Sequence, residues 1–187
     1  DTYLPLNIFE PRYLEMINKA ISSKSRLVGM IQPNNSDKNK LYDVGCAGKI
    51  IKFEETEDKR YLITLKGISR FDLISEKTNR LNFREAQVKW ENFSKDLQKN
   101  DTKETFTNLK MSLKRYFKLK NIKVNFEVID KCYDYNFVDQ ITMICPLAFE
   151  EKQLLLETTS ISKRSNLLQS IIDGYASEEN ISRVVKH

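Results

Sequence analysis

Apolar positions recur with a period of two in the first half of the chain and with a period near 3.6 in the second. Residues 27–31 are a short apolar run closed by the loop-like 32–37. Residues 41–47 and 49–53 flank Gly48, a position that suits a bulge or sharp bend. Residues 60–66 alternate, with Tyr61, Ile63 and Leu65 on one face, and Gly67 separates them from 68–74. Residues 83–90 place Ala86, Val88 and Trp90 together, with Trp90 a core residue. Five or six short strands with tight connections predict a small barrel or sandwich.

A helix over about 10–22 precedes these strands. Pro11 suits its first position, where a missing N–H costs nothing, and Tyr13, Met16, Ile17 and Ala20 follow at helical spacing. This helix is expected to lie across the sheet and cover one opening or face of it. From about Asp101 the helical period takes over, with Asp101 to Glu104 reading as a capping box. Phe106, Leu109, Leu113, Tyr116 and Phe117 form an apolar stripe, while Lys103, Lys110, Lys114 and Lys118 are expected to face water. Further helices are predicted over about 134–144, ended by Pro146, from about Phe149 through Leu154, Leu155 and Leu156, and around Leu167, Leu168, Ile171, Ile172 and Tyr175, with Gly174 near the end. Residues 176–187 read as a fraying tail. The fold class is α+β: a β-rich subdomain, 1–92, followed by a helical subdomain, 93–187, joined near 92–100.

Composition removes several classes. The 187 residues contain no apolar run approaching the about 18 needed to cross a membrane, and no basic-then-apolar start marks a signal peptide. Cys46, Cys132 and Cys145 are an odd number without a CxxC spacing, which points to a reducing, cytoplasmic setting and to inert buried thiols. The lone histidine is His187, so no Ser-His-Asp triad and no His-rich metal site is available. The net charge of +5 is spread over both halves. One concentration stands out in 95–123: Lys95, Lys99, Lys103, Lys110, Lys114, Arg115, Lys118, Lys120 and Lys123. A nucleic-acid surface and the solvated face of a helix both give this pattern, and the second is the commoner source.

Candidate chemistry is sparse. Gly45 to Ile50 has glycines and Lys49, but the glycine spacing is too short for a phosphate loop and Ile50 stands where Ser or Thr would reach Mg²⁺. Residues 54–58 are acidic, yet they fall at an expected hairpin turn, where a solvated tip is the default and nothing enforces a metal geometry. No catalytic set, cofactor site or metal site emerges. The residues alone lead to a binding module with a barrel and a helical extension.

Three stretches carry a resemblance. They are residues 4–14 (LPLNIFEPRYL), residues 44–50 (VGCAGKI), and residues 60–67 (RYLITLKG) with Arg70 and Phe71 just after. Pro146 followed by Glu151, Lys152, Gln153 and the leucines to Glu157 adds a fourth, similar to an EKQxLLE signature. Together they cover about residues 3–172 and resemble the LON N-terminal family, the substrate-binding domain of Lon ATP-dependent protease, which also occurs as stand-alone bacterial proteins. The resemblance implies a PUA-like β pseudo-barrel with one covering helix, then a C-terminal α-helical bundle. It implies a non-catalytic, protease-associated module that binds unfolded or tagged polypeptides, alone or as an adaptor to a protease or chaperone. Apolar grooves between barrel and bundle, or an exposed sheet edge, would receive them. RNA binding through 95–123 is the alternative, since PUA-like folds elsewhere bind RNA.

The motif residues are expected to be architectural. Phe9, Glu10, Pro11, Arg12 and Tyr13 would set the first helix, with Phe9 and Tyr13 on one face of it. Gly45, Gly48 and Gly67 would let strands bend or approach closely. Arg12 would pair with a carboxylate or cap carbonyls, and Arg70 would project opposite Phe71. The sequence departs from the family pattern in three places. A further strand expected before Leu4 would lie ahead of Asp1, and its absence would leave a sheet edge open to another chain. Ala148 replaces a capping Ser of the Glu151, Lys152, Gln153 helix, and Asp58-Lys59-Arg60 lacks a customary glycine.

Overall fold

Leu4, Leu6 and Ile8 alternate with Tyr3, Pro5 and Asn7, and this alternation forms the first strand, β1 (Tyr3–Ile8). In the computed structural model, which describes residues 2–34, 40–98, 105–132 and 136–184, β1 is followed by α1 (Pro11–Ser22), β2 (Leu27–Met30), β3 (Val44–Glu55), β4 (Tyr61–Thr78) and β5 (Arg84–Lys89). The sheet is antiparallel throughout, in the order β1-β4-β3-β2. Asp72 of β4 pairs with Val44 on one edge and Lys89 on the other, so β5 continues the edge of β4 on which β1 begins.

The strands differ from the sequence reading in three ways. Leu4-Pro5-Leu6 lies in β1 itself, a strand the pattern did not announce. Residues 41–53 were expected as two strands and 60–74 as two more. Instead β3 runs unbroken through Gly48, with a register shift there, and β4 runs unbroken through Gly67. The two glycines are cross-strand partners, so each accommodates the other and neither stops its strand.

The hydrogen-bond phase of β1 explains how it tolerates proline. The Gly67 N–H donates to Thr2 O (2.9 Å), which makes that pair hydrogen-bonded. Bonding pairs alternate along an antiparallel ladder, so Leu4, Leu6 and Ile8 bond to β4 while Tyr3, Pro5 and Asn7 turn their backbone groups to the free edge. Pro5 therefore removes an edge donor and no ladder bond.

One face of this sheet is closed by α1. Pro11 stands at its first position and Lys19 in its last turn. Ile17 and Ala20 pack on Val28, Ile50, Ile63 and Leu65, with Leu4, Leu6, Ile8 and Met16 around them. A 3₁₀ segment, Glu91–Leu97, contributes Phe93 to the interior. By its contacts the chain forms two compact units, Asp1–Lys99 and Asn100–His187, and this segment lies on the first unit's side of the division.

The second unit contains α2 (Thr107–Leu119), α3 (Phe126–Lys131), α4 (Phe137–Ile144), α5 (Phe149–Glu157) and α6 (Ile161–Val184). The stripe of Phe106, Leu109, Leu113, Tyr116 and Phe117 is buried against Phe137, Val138, Ile141, Leu155, Leu168 and Ile172. The expected capping box at Asp101 to Glu104 lies outside the described residues. The tail expected to fray from 176 remains helical to Val184, and Gly174 sits inside α6. Lys110 was expected to face water but is buried, because α3, which the pattern did not reveal, brings the Asp130 and Cys132 carbonyls within 3.0 Å and 2.5 Å of its ammonium. No helix among the described residues is long and apolar enough to cross a membrane.

Candidate functional site

The face of β1, β4 and β3 opposite α1 carries an unusual mixture. Register sets Tyr3 beside Lys66 and Lys49, Pro5 beside Thr64 and Lys52, and Asn7 beside Leu62 and Glu54. Between Ile50 and Lys52 the ladder slips by one residue, which leaves Ile51 without a cross-strand partner. A sheet face turned to water is ordinarily polar along its length. Here Tyr3 is 57%, Ile51 44% and Leu62 40% exposed. Ile51 and Leu62, with Pro5 and Thr64, line a shallow depression of about 720 Å³ that has Lys52 and Glu54 at its side. Tyr3, Ile51, Lys52 and Leu62 are not among the candidate residues read from the sequence, and Lys49 enters there only in a phosphate-loop match that fails. The signal was present in the apolar residues standing at solvent-side positions of alternating strands.

The hairpin beyond this face is rigidly built. The Phe53 and Tyr61 rings meet edge to face at 4.9 Å. The Thr56 hydroxyl donates to Asp58 and accepts from the Arg60 N–H, and Arg60 pairs with Asp58 at 2.7 Å. The hydroxyl bond from Thr56, opposed by desolvation and helped by Arg60, holds the Asp58 carboxyl below its ordinary range. Lys59 adopts φ 61°, the left-handed conformation that the missing glycine would take without strain. No three His, Cys, Asp or Glu side chains among the described residues converge as a metal site would require.

The motif residues are placed as follows. Phe9 is 65% exposed and precedes α1, so it does not share a helical face with Tyr13; Glu10, extended at φ −70° and ψ 130°, is the residue at which the helix begins. Arg12 donates to Glu10 (3.0 Å) and stacks over Tyr13 at 4.5 Å, and the Glu10 bond raises its already high pKa. A Cβ on Gly45 would stand 2.5 Å from the Phe71 ring, and one on Gly48 3.0 Å from Leu65. Phe71 is buried and meets Trp90 edge to face at 5.9 Å, while Trp90 itself is 37% exposed. Arg70 is buried and clamps Asp96. Glu151 accepts from the Ala148 N–H (2.8 Å) and the Tyr175 hydroxyl (2.7 Å), so half of the capping arrangement survives the alanine. Gln153 is buried and donates to Glu157 (2.8 Å). Burial pushes the Cys145 thiol up to about 11, opposed by Lys152.

The basic stretch is partly consumed by the fold. Lys110 is buried, Lys114 pairs with Asp130 and Arg115 with Asp173. Lys95, Lys118, Lys120 and Lys123 are exposed, and Lys99 and Lys103 lie outside the described residues.

The family model of the ATP-dependent protease La (LON) substrate-binding domain matches residues 1–174. The chain belongs to this family. Lon protease 1 of Hydrogenovibrio crunogenus is 27% identical over 195 residues, covering 98% of this chain. The chain spans about a quarter of the length of that relative, 24%. Two solved structures share the fold. The N-terminal domain of Mycobacterium avium complex Lon protease has a TM-score of 0.66 at 15% identity, covering 92% of this chain and 90% of its own. A Lon N-terminal domain protein from Xanthomonas campestris has a TM-score of 0.65 at 16% identity, covering 90% and 89%. The mixed α/β architecture with an antiparallel sheet is thus that of a LON substrate-binding module.

Proposed function

We propose that the chain is a non-catalytic polypeptide-binding module, which holds unfolded or tagged segments for an associated ATP-dependent protease, as its recognition part or as an adaptor. In this reading the first unit is a PUA-like pseudo-barrel, the second an α-helical bundle, and the family-motif residues from Phe9 to Gln153 build the scaffold. The observation that carries the reading is the apolar depression around Ile51 and Leu62 on an otherwise solvated sheet face. The buried cations support it. Arg70, Lys110 and Arg164 are spent on Asp96, on backbone carbonyls and on Asp139, so they hold the fold together. Covering the exposed 44% of Ile51 and 40% of Leu62 contributes somewhat under half of the about 1.5–3 kcal/mol that full burial of such a side chain gives. The cost of ordering a flexible client offsets part of this, which favours weak, transient capture.

The test is binding of a reduced, alkylated and permanently unfolded model protein, followed by fluorescence anisotropy. Wild type should bind reversibly. Leu62→Thr and Ile51→Thr should weaken binding several-fold with at most a small drop in urea midpoint, because threonine puts a β-branched side chain on each strand while removing apolar surface from the depression. Absence of binding, or affinity indifferent to both substitutions, overturns the reading.

A further inference from the structure

In the second unit, the first turn of α2 and one side of α6 line a depression of about 440 Å³. The α2 wall leaves backbone donors open. Phe106 stands at the N-cap position and gives the helix no side-chain acceptor. The first ladder bond at that end runs from the Lys110 N–H to the Phe106 carbonyl (2.9 Å). The N–H groups of Thr107, Asn108 and Leu109 therefore precede the ladder, and among the described residues they have no acceptor. A helix of 13 residues also carries about half a positive charge at this end.

The α6 wall supplies a second, independent observation. Ser165 is only 7% exposed, yet its hydroxyl makes no hydrogen bond among the described residues. No fully enclosed side-chain polar atom among those residues lacks a partner. The Ser165 hydroxyl is thus not sealed in, and it opens into the depression that Ser165 lines. A largely buried hydroxyl without a partner is costly, and a ligand oxygen in the depression would supply one. Asn166 and Gln169 follow Ser165 at helical spacing and bring side-chain amides to the same wall.

From this convergence we infer that the depression binds a carboxylate group, carried at the end of a polypeptide chain or on an acidic side chain. The open backbone groups on the α2 wall are donors only, so the ligand must accept. A carboxylate has two oxygens and about four acceptor positions, which suits several donors at once. None of the lining residues is charged. Neutral donors and the partial charge of one helix end match a single negative charge better than the nearly two of a phosphate. The volume leaves room beside the carboxylate for the residue that bears it. This site is built from other residues than the sheet face, so it goes beyond the reading proposed above and does not depend on it.

Titration of the isotope-labelled full chain with three short peptides, followed by its backbone N–H resonances, tests the inference. The peptides are acetylated trialanine with a free C-terminus, its C-terminal amide, and that amide with glutamate as the middle residue. At least one carboxylate peptide should shift the resonances of Thr107, Asn108 and Leu109 and bind about tenfold tighter than the neutral amide at low salt. The tighter of the two identifies main chain or side chain as the source of the group. Ser165→Ala should weaken this binding about threefold and keep the urea midpoint, because the hydroxyl has no partner to lose. Asn108→Asp places a carboxylate in the first turn of α2, where it favours the helix and repels the ligand. It should abolish binding while the midpoint holds or rises. Equal affinity for the neutral amide, shifts confined to other residues, or full binding by Asn108→Asp each overturns the inference and leaves capture of unfolded protein on the sheet face standing. Inorganic phosphate is the fourth ligand, and its tighter binding than either carboxylate peptide overturns the choice of a singly charged group.

Discussion

Arg70 and Asp96 form a two-pronged ion pair, with Nε to Oδ2 at 2.8 Å and a terminal guanidinium nitrogen to Oδ1 at 2.7 Å, and the Arg70 backbone N–H adds a third bond to the same carboxylate at 3.0 Å. The side chains are only 7% and 17% exposed. The guanidinium also lies over the Phe93 ring at 4.6 Å, so one residue of β4 fixes the 3₁₀ segment by both charge and stacking. Removing one partner leaves a buried charge uncompensated. Asp96→Ala should therefore cost about 3–5 kcal/mol, read as a lowered urea midpoint. The joint change Arg70→Met with Asp96→Leu should cost less than the single one. A loss below about 1 kcal/mol for Asp96→Ala would show that water reaches Arg70 freely.

Two glycines should respond to alanine with opposite signs. At Gly45 the added methyl would stand 2.5 Å from Phe71 Cζ and 2.9 Å from the Met30 carbonyl oxygen, and backbone cannot yield as a side-chain tip can. Gly45→Ala should destabilise by about 1–3 kcal/mol. Gly174 lies within α6 with nothing near its prospective Cβ. Gly174→Ala should stabilise by about 0.5–1 kcal/mol, by helix propensity alone. Thermal unfolding of the two variants checks both signs.

These contrasts show which parts of the molecule the sequence could reveal. The apolar stripe from Phe106 to Phe117 and the covering face of α1 were legible because each is a local repeat, and the repeat alone decides which side is buried. Strand ends were not legible at Gly48 and Gly67, because a glycine that ends a strand and a glycine opposite another glycine look alike along one chain. Pro5 hid β1 in the same way, since its tolerance depends on the hydrogen-bond phase against β4. Burial of Lys110 depends on carbonyls some twenty residues away, at Asp130 and Cys132. The candidate face was the least visible of all. It joins Tyr3, Ile51 and Leu62 from three strands, and it depends on a bulge that takes Ile51 out of the alternation.

The Lys19–Glu85 pair ties α1 to β5 and should appear in the pH dependence of stability. The Lys19 hydrogen bond is the chief cause that lowers the Glu85 carboxyl below its ordinary 4.5, aided by Asn79 and opposed by desolvation. A carboxyl depressed in the folded state stabilises that state above the unfolded value and loses the contribution as pH falls through the folded one. Lys19→Met should therefore be less stable than wild type at neutral pH, and the gap should close progressively in acid below about 4.5. Because the pair is exposed, raised salt should narrow the neutral-pH gap too. A gap that is constant in pH and salt would assign the effect to packing on Phe83, whose ring lies 5.7 Å from the Lys19 ammonium.

Pro5 offers a way to separate binding on the face from pairing along the edge. Pro5→Thr returns an N–H to the outward row of β1 and leaves the bonds of Leu4, Leu6 and Ile8 to β4 untouched, so the fold should keep its urea midpoint within about 0.5 kcal/mol. The restored edge then presents donors at three successive outward positions, which is the arrangement other strands add to. Sedimentation should show self-association that increases with concentration and is absent in wild type. Affinity for unfolded polypeptide should not rise if clients lie across Ile51 and Leu62, because a strand added at β1 makes no use of either side chain, and it should fall a few-fold because Pro5 itself lines the depression. A rise of tenfold or more would instead place the client on the edge, and Pro5 would then be the residue that keeps that route closed.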